Sequence, residues 1–184
     1  RAAAIESPSP GVIIGLSEVG DQNDFEIITK FLNSNSVKNR AASLVAIAIL
    51  DINRAREIAF SLLHDESNRV KRSCVQIISK ERSYDDLPKL RTIYNEGGNE
   101  TKRFVLKAIS AYGGWAIAGD FLIGLKESDE KLKDTACALL NNWYAYSISL
   151  GRKKVKEDKD YVMSVYSNIE KEKLQLPQNI QRII

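Results

Sequence analysis

The chain has 184 residues, of which 43% are hydrophobic and 28% are charged, and its formal net charge is +3. This composition is that of a globular protein, and the length suits one domain with a substantial buried core. No apolar run reaches the roughly 18 to 20 residues that span a bilayer. Two cysteines and one histidine are too few for a four-ligand zinc site or a disulfide scaffold. We therefore expect a cytoplasmic (intracellular) protein with reduced thiols and with no metal or cofactor.

The net charge is concentrated near the C-terminal end. Residues 151–184 contain eight Lys or Arg and five Asp or Glu, which accounts for the whole excess. The charge balance of residues 1–150 argues against nonspecific binding of nucleic acid, which depends on contacts to phosphates. The chain begins with Arg1 and shows no signal peptide, so we expect a fragment of a longer chain or a processed form.

An internal repeat with a period of about 31 residues runs through most of the chain, within the range of known solenoid repeats. A basic column recurs at this spacing, and apolar columns follow it four and seven positions later. The basic column contains Arg40, Lys71, Lys102 and Lys133. The apolar columns contain Leu44, Val75, Leu106 and Cys137, and then Ile47, Ile78, Ile109 and Leu140. Offsets of three and four positions place these columns on one face of a helix.

A second pair of apolar columns lies about half a period away and indicates a second helix in each repeat. It contains Ile27, Ile58, Leu90 and Phe121, followed four positions later by Phe31, Leu62, Tyr94 and Leu125. In each column the middle spacing is one residue longer than the two that flank it, which predicts that one connection gains a residue. Polar and glycine-rich stretches, such as 33–36 and 113–114, separate the helices.

Such two-helix units must stack, because one unit alone cannot bury both of its apolar faces. We predict an all-α solenoid of about 4.5 repeats in a single domain that spans 1–184. The predicted repeats are 10–33, 36–64, 67–96, 99–127 and 129–147. The columns fail after Trp143, so the segment 148–184, with a helix at about 156–172, is predicted to form a C-terminal cap.

Two motifs resemble the short HEAT repeats of phycobilisome-lyase-like proteins. That family has a turn similar to Leu-Gly-x-Ile-Gly-Asp, and the matching stretch here is Leu16-Ser17-Glu18-Val19-Gly20-Asp21. Its signature between repeats resembles Asp65-Glu66-Ser67-Asn68-Arg69-Val70-Lys71, and a shortened form is Asp129-Glu130-Lys131-Leu132-Lys133. The segments 35–38 and 99–102 lack the family's Asp.

The resemblance covers about residues 10–147 and implies a right-handed α-α superhelix of the HEAT or armadillo (ARM) type. It also implies a ladder of ion pairs between the basic column and Asp65, Glu100 and Asp129. It does not select a function, because the family includes scaffolds, lyase subunits, regulatory arms and DNA-repair glycosylases.

The exposed face of the first helices is the best candidate site, since in HEAT-like arrays these helices line the concave surface. The polar residues predicted to face outward there are Arg72, Gln76, Lys80, Arg103, Lys107, Ser110, Asn141 and Asn142. Four of them form a basic strip that suits an acidic peptide or a phosphate backbone, namely Arg72, Lys80, Arg103 and Lys107. A simply solvated face is the alternative interpretation.

Aromatic residues suggest a second surface at the C-terminal edge. Trp143 is predicted to be a core residue, and Tyr144 and Tyr146 cannot both share its face, so one of them is a candidate interface anchor. Trp115 follows a glycine turn and is predicted to pack in the core, with ligand contact as the alternative.

Catalysis has little support in the sequence. His64 lies in a polar turn, and Trp115 and Asp120 are an inexact match to the Trp and carboxylate of a glycosylase cleft. Cys74 and Cys137 are predicted to be core residues roughly 20 Å apart, at about 10 Å per repeat, which is too far for a disulfide. The basic run 152–156 is predicted to be a solvated loop, with a membrane or nucleic-acid contact as the alternative.

These patterns predict a protein–protein interaction scaffold or adaptor. Its partner is expected to be another protein, bound through an acidic segment on the concave face or at the C-terminal edge. A nucleic-acid-binding solenoid is the first alternative, and a lyase- or glycosylase-type enzyme subunit is the second.

Overall fold

The computed structural model describes residues 8–19, 22–149 and 156–171. Within these ranges the chain forms ten α-helices, two short 3-10 helices and no strand, which confirms the predicted all-α class for this part of the chain. The α-helices are α1 (Pro10–Glu18), α2 (Gln22–Lys30), α3 (Val37–Leu50), α4 (Ile52–Leu62), α5 (Asn68–Ile78), α6 (Leu87–Glu96), α7 (Asn99–Ser110), α8 (Ala118–Gly124), α9 (Glu130–Ser149) and α10 (Lys156–Lys171). The 3-10 helices are Phe31–Asn33 and Tyr84–Asp86.

Short polar side chains determine where several helices begin. Ser9, Ser36, Asp51 and Ser67 each accept a hydrogen bond from a backbone N–H two or three positions further along the chain. Such N-caps satisfy backbone donors that have no partner inside the helix. The polar turns seen in the sequence therefore start the helices α1, α3, α4 and α5.

The chain divides into two compact units, with the boundary between Arg82 and Ser83. This boundary falls inside the predicted repeat 67–96, so α5 belongs to the first unit and α6 to the second. In the first unit, α3 packs against α1, α2, α4 and α5, and α4 also packs against α5. In the second unit, α7 packs against α6, α8 and α9, while α8 packs against α9 and α10.

The first helices bury most of the residues predicted for their core face. Those that are fully or almost fully buried are Leu44, Ile47, Ile78, Leu106, Ile109 and Leu140. Cys74 is also buried, and burial raises the pKa of its thiol to about 12. Val75 and Cys137 were predicted to be core residues, and this was wrong: both are half-buried, because Cys74 and Ala136, the residues before them, face inward instead. Neither cysteine forms a disulfide.

The predicted register of the second helices was wrong by one residue in the first unit. Its predicted core residues, Ile27, Phe31, Ile58 and Leu62, are only half-buried. The buried residue is in each case the next one along the chain, namely Ile28, Leu32, Ala59 and Leu63. In the second unit the predicted residues are buried, namely Leu90, Tyr94, Phe121 and Leu125.

The corrected register removes the irregular spacing. Buried residues of the second helices recur at positions 28, 59, 90 and 121, and again at 32, 63, 94 and 125, so the interval is the same throughout. No connection gains a residue. The prediction favoured the larger side chain at two of these sites, Ile58 over Ala59 and Phe31 over Leu32, but burial follows helix orientation and not side-chain size.

Arg40 forms a buried ion pair with Asp65 in the first unit. Its Nε donates to Asp65 Oδ2 at 2.8 Å and its Nη2 donates to Asp65 Oδ1 at 3.0 Å. Its Nη1 donates to the Ser34 carbonyl at 2.9 Å, and Asp65 Oδ1 accepts from the Ser67 N–H at 2.7 Å. This network joins the loop before α3 to the loop before α5, as the ladder implied by the family resemblance requires.

Two basic residues of that column, Lys102 and Lys133, depart from the predicted ladder. In the second unit, Lys102 Nζ pairs with Glu127 Oε1 at 2.8 Å, and Lys133 Nζ pairs with Glu130 Oε1 at 3.0 Å within one helix. Asp129, a predicted ladder partner, instead caps α9 by accepting from a backbone N–H. The local turn geometry, which the repeat spacing does not specify, decides which carboxylate reaches each cation.

Two adjacent leucines, one at the end of α4 and one directly after it, test the corrected register. Leu63 is fully buried and Leu62 is half-buried. We expect Leu63→Ala to lower the free energy of unfolding by about 2–5 kcal/mol, the usual result of a cavity in a core. Leu62→Ala should lower it by clearly less. Urea unfolding followed by circular dichroism measures both, and a larger effect at Leu62 would contradict the register.

The Arg40–Asp65 pair predicts a pH dependence of stability. Burial alone would raise the pKa of Asp65, but hydrogen bonds from the Arg40 guanidinium and the Ser67 N–H outweigh it and hold the pKa below its ordinary value. A carboxyl whose pKa is lower in the folded state stabilises the fold above its unfolded pKa, near 4. That stability is lost as the pH falls through the folded pKa.

We therefore expect Asp65→Asn to destabilise the protein most at neutral pH, by up to about 3–5 kcal/mol, since it leaves the buried guanidinium of Arg40 without its buried counterion. The difference from the wild type should shrink as the pH falls below about 4. Glu66→Gln is the matched control, because Glu66 contacts the same guanidinium at 3.3 Å but its side chain is 85% exposed. A gap between wild type and Asp65→Asn that stays constant with pH would contradict this account.

Candidate functional site

A groove of about 450 Å³ lies on the first unit where α1, α3 and α5 meet. Its lining residues are Pro10, Gly11, Ile14, Gly15 and Glu18 from α1, Lys38, Ala41, Ala42 and Val45 from α3, and Arg69 and Ser73 from α5. The helices α1 and α3 begin side by side, because Asn39 Nδ2 donates to the Pro8 carbonyl at 3.0 Å. The groove is therefore built from the first helices of three successive predicted repeats.

Small and apolar residues form the floor of this groove. Val45 is 37% exposed, and Ile49, one turn further along α3, is 53% exposed. A Cβ added at Gly15 would meet no atom within 4 Å, and one added at Gly11 would meet only Ser9 Oγ at 3.9 Å. Internal packing does not require glycine at either position, although glycine inside a helix costs about 0.5–1 kcal/mol relative to alanine. The effect of these glycines is to leave the groove open.

Two exposed cations lie in the groove at equivalent positions. Lys38 is the second residue of α3, and Arg69 is the second residue of α5, one repeat period later. Neither forms an ion pair with another residue in the part of the chain that the structure describes. A cation in the first turn opposes the helix dipole, typically by about 0.3–1 kcal/mol at an exposed position. The groove thus has a positive region at the start of α3 and α5, while Glu18 lies at the end of α1.

The predicted basic strip divides between the two units. Arg72, Gln76 and Lys80 are exposed in the first unit, but they do not line the groove, to which α5 contributes Arg69 and Ser73. Arg72 and Gln76 lie on α5 itself, and Lys80 follows its end.

The predicted strip residues of the second unit are partly engaged within the protein. Arg103 donates to Glu100 Oε1 at 2.7 Å and to Thr135 Oγ1 at 3.2 Å, so Glu100 pairs within its own helix. Lys107 Nζ lies over the ring of Phe104, 5.0 Å from its centroid. The remaining residues differ in exposure: Asn142 is exposed, whereas Ser110 and Asn141 are half-buried.

Sequence reasoning missed Lys38 and Arg69 as site residues, although a signal was present. They form a column with the same repeat spacing, two positions before the basic column. The column continues as Glu100 and Lys131, so it is not uniformly basic. Because the charge changes sign at Glu100, the column was not recognised as basic in the sequence.

The aromatic residues near the C-terminal edge fall into two classes. Trp143 and Trp115 are each only 8% exposed and pack edge to face, with ring centroids 4.9 Å apart. Trp143 Nε1 also donates to the carbonyl of Gly114. Tyr146 is 63% exposed and Tyr144 is half-buried. Of the two predicted anchors, Tyr146 therefore has the larger exposed surface.

A smaller cavity of about 210 Å³ in the second unit lies beside a buried carboxylate. Asp120 is 4% exposed and accepts from Arg91 at 2.8 and 2.9 Å and from the Tyr161 hydroxyl at 3.3 Å. The Arg91 guanidinium also lies 4.7 Å from the centroid of the Tyr161 ring. Burial raises the pKa of the Asp120 carboxyl, against the opposing effect of Arg91. These contacts attach α10 to α8.

This arrangement does not resemble the glycosylase site considered from the sequence. Asp120 is engaged by Arg91 and Tyr161, and Trp115 is not among the residues that line the cavity. His64 is exposed in the turn after α4. Among the described residues there is no group of three or more His, Cys, Asp or Glu side chains that could hold a metal ion.

Two further sequence predictions concern the C-terminal segment. The side chains of the basic run 152–156 lie outside the described residues, and of the predicted cap 148–184 the structure describes mainly α10. The helix predicted at about 156–172 corresponds to α10. No helix in the described part of the chain has the length and hydropathy needed to cross a membrane.

No family model matches the chain, and a search of curated proteins returns no similar sequence. The HEAT-like resemblance therefore stays a prediction.

The contact between Gly119 and Tyr161 predicts a selective way to detach α10. A Cβ added at Gly119 would overlap the Tyr161 ring, so Gly119→Ala must displace that ring. We expect the amides of 160–168 to lose at least about tenfold of their protection from hydrogen exchange, equivalent to about 1.4 kcal/mol of local stability. Gly98→Ala is the control, because an added Cβ there meets no atom within 4 Å. Unchanged protection in Gly119→Ala would show that this contact does not hold α10.

Proposed function

We propose that this protein is a protein–protein interaction module, a scaffold or adaptor that binds a segment of a partner protein in the groove between α1, α3 and α5. The observation that carries the proposal is the combination, in one open groove, of an apolar floor with two exposed cations that form no ion pair with another described residue. Exposed apolar residues next to such charges are typical of surfaces that bind proteins.

The groove favours a protein over nucleic acid. Binding to a phosphate backbone depends on neutralising many phosphates, commonly about 6–10 in a tight complex. This groove offers Lys38 and Arg69, and it also contains Glu18, which repels phosphate. Its exposed Val45, followed by Ile49 one turn on, is better suited to the side chains of a peptide.

The architecture that we propose around this groove is a right-handed HEAT/ARM-like solenoid of about 4.5 two-helix repeats with a C-terminal capping helix. Its support is the constant interval between buried positions of the second helices, which a stack of equivalent units would produce. A cytoplasmic location is part of the same proposal. An enzyme role has less support, because the buried carboxylate that it would use, Asp120, is already paired.

A steric block of the groove tests the proposal. Peptides are selected from a random 12-residue library on the wild-type protein, and their affinities are then measured by fluorescence anisotropy. Gly15→Leu places a side chain in open space and replaces a poor helix former, so it should fill the groove without lowering thermal stability. We expect it to weaken binding of the selected peptides by about tenfold or more, equivalent to about 1.4 kcal/mol.

The matched control is Arg72→Leu, which puts the same side chain on an exposed site of α5 outside the groove. It should change the affinity by less than about twofold. Selected peptides that bind Gly15→Leu as well as the wild type would contradict the proposal. Binding to DNA or RNA with a steep dependence on salt would instead favour the nucleic-acid alternative.

A further inference from the structure

The charge distribution of the groove specifies the chemistry of the segment that would bind there. Lys38 and Arg69 are both exposed, and both lie in the first turn of a helix, where the helix dipole already contributes positive charge. Negative side chains are the ones that usually stabilise a first turn, yet the first turns of α3 and α5 contain no acidic residue. The nearest carboxylates before α5, Asp65 and Glu66, both pair with Arg40, so Lys38 and Arg69 leave an excess of positive charge at this end of the groove that suits an anion.

We infer that the groove binds a short acidic segment of a partner protein in an extended conformation, with a carboxylate at Lys38 and Arg69 and an apolar side chain near Val45. This inference rests on the proposed function. It adds the composition of the bound segment, the position of its acidic residues and its backbone conformation.

The charges that line the groove determine which end of the segment carries its acidic residues. The floor near Ile14 and Val45 is apolar, and Glu18 lies at the C-terminal end of α1. A second carboxylate at that end would be repelled by Glu18. The acidic residues of the segment are thus confined to the end that meets Lys38 and Arg69.

The length of the segment follows from helix geometry. Lys38 and Val45 are seven positions apart on α3, a separation of about 10 Å at about 1.5 Å per residue. An extended chain covers this distance in about three residues, at about 3.3 Å each. The apolar residue should therefore lie about three positions from the acidic one.

The two glycines of α1 favour an extended chain in the groove. Gly11 and Gly15 place no side chain between the groove and the backbone of α1, which allows another main chain to come close.

Charge reversal tests the inference without threatening the fold. Lys38→Glu and Arg69→Glu each place an acidic residue in a helix first turn, which the helix dipole favours, so thermal stability should be kept or increased. The probes are the peptides selected from the random library on the wild-type protein. We expect those peptides to contain Asp or Glu about three positions from an apolar residue. Each reversal should weaken their binding by about tenfold or more, and peptides with Lys in place of the acidic residue should bind the double variant better than the wild type.

Lys80→Glu is the control, since Lys80 is exposed after the C-terminal end of α5 and does not line the groove. It should change affinity by less than about threefold. Peptides that lose binding in Gly15→Leu but lack acidic residues, or that tolerate both reversals, would overturn the inference and leave the proposed function intact. Failure to select any peptide that Gly15→Leu blocks would overturn both.

Discussion

The packing of α3 against four other helices is the constraint on which the first unit and its groove depend. Its inward residues Leu44, Ala46 and Ile47 are completely buried, which fixes the rotation of the helix about its axis. The small residues Ala41 and Ala42, on the neighbouring face, line the groove with little side-chain volume. The orientation that builds the core therefore also creates an open surface between α1, α3 and α5.

Two basic residues at the start of α3 are close in sequence but have different surroundings. Arg40 is buried and donates to both oxygens of Asp65, so its charge is used to connect two loops. Lys38, two positions earlier, is exposed and lines the groove without an ion pair to another described residue. The same division recurs one period later, where Lys71 is buried and Arg69 is exposed. At the start of α3 and of α5, one basic residue is therefore buried in the fold and the other is exposed at the groove.

Much of the fold could be predicted from the sequence, because helix periodicity and N-cap residues are local signals. The register of the second helices could not, since a half-buried Ile58 and a buried Ala59 are distinguished by the helices they face. Ion-pair partners such as Glu127 depend on turn geometry in the same way. The attachment of α10 through Tyr161 and Asp120 joins residues 41 positions apart, a separation that the repeat pattern does not predict.

The sequence predicted a site on the exposed polar face of the first helices, and the groove that we propose lies between three of those helices. The exposed face of the first helices and its basic character follow from the repeat, whereas the groove arises where Gly11, Gly15 and Ala41 leave space in three dimensions. Sequence patterns indicate which residues are polar. They do not indicate where small side chains from different helices lie together and leave a groove open.

The most direct test of the central claim is to locate a bound peptide on the protein by NMR. A library-selected peptide with a nitroxide spin label is added to the isotope-labelled protein, and broadening of the amide signals is mapped along the chain. We predict that the strongest broadening falls on residues 10–18, 38–45 and 69–73, the ranges that contain the residues lining the groove. Broadening centred on α7 or α9, or spread evenly over the surface, would contradict it.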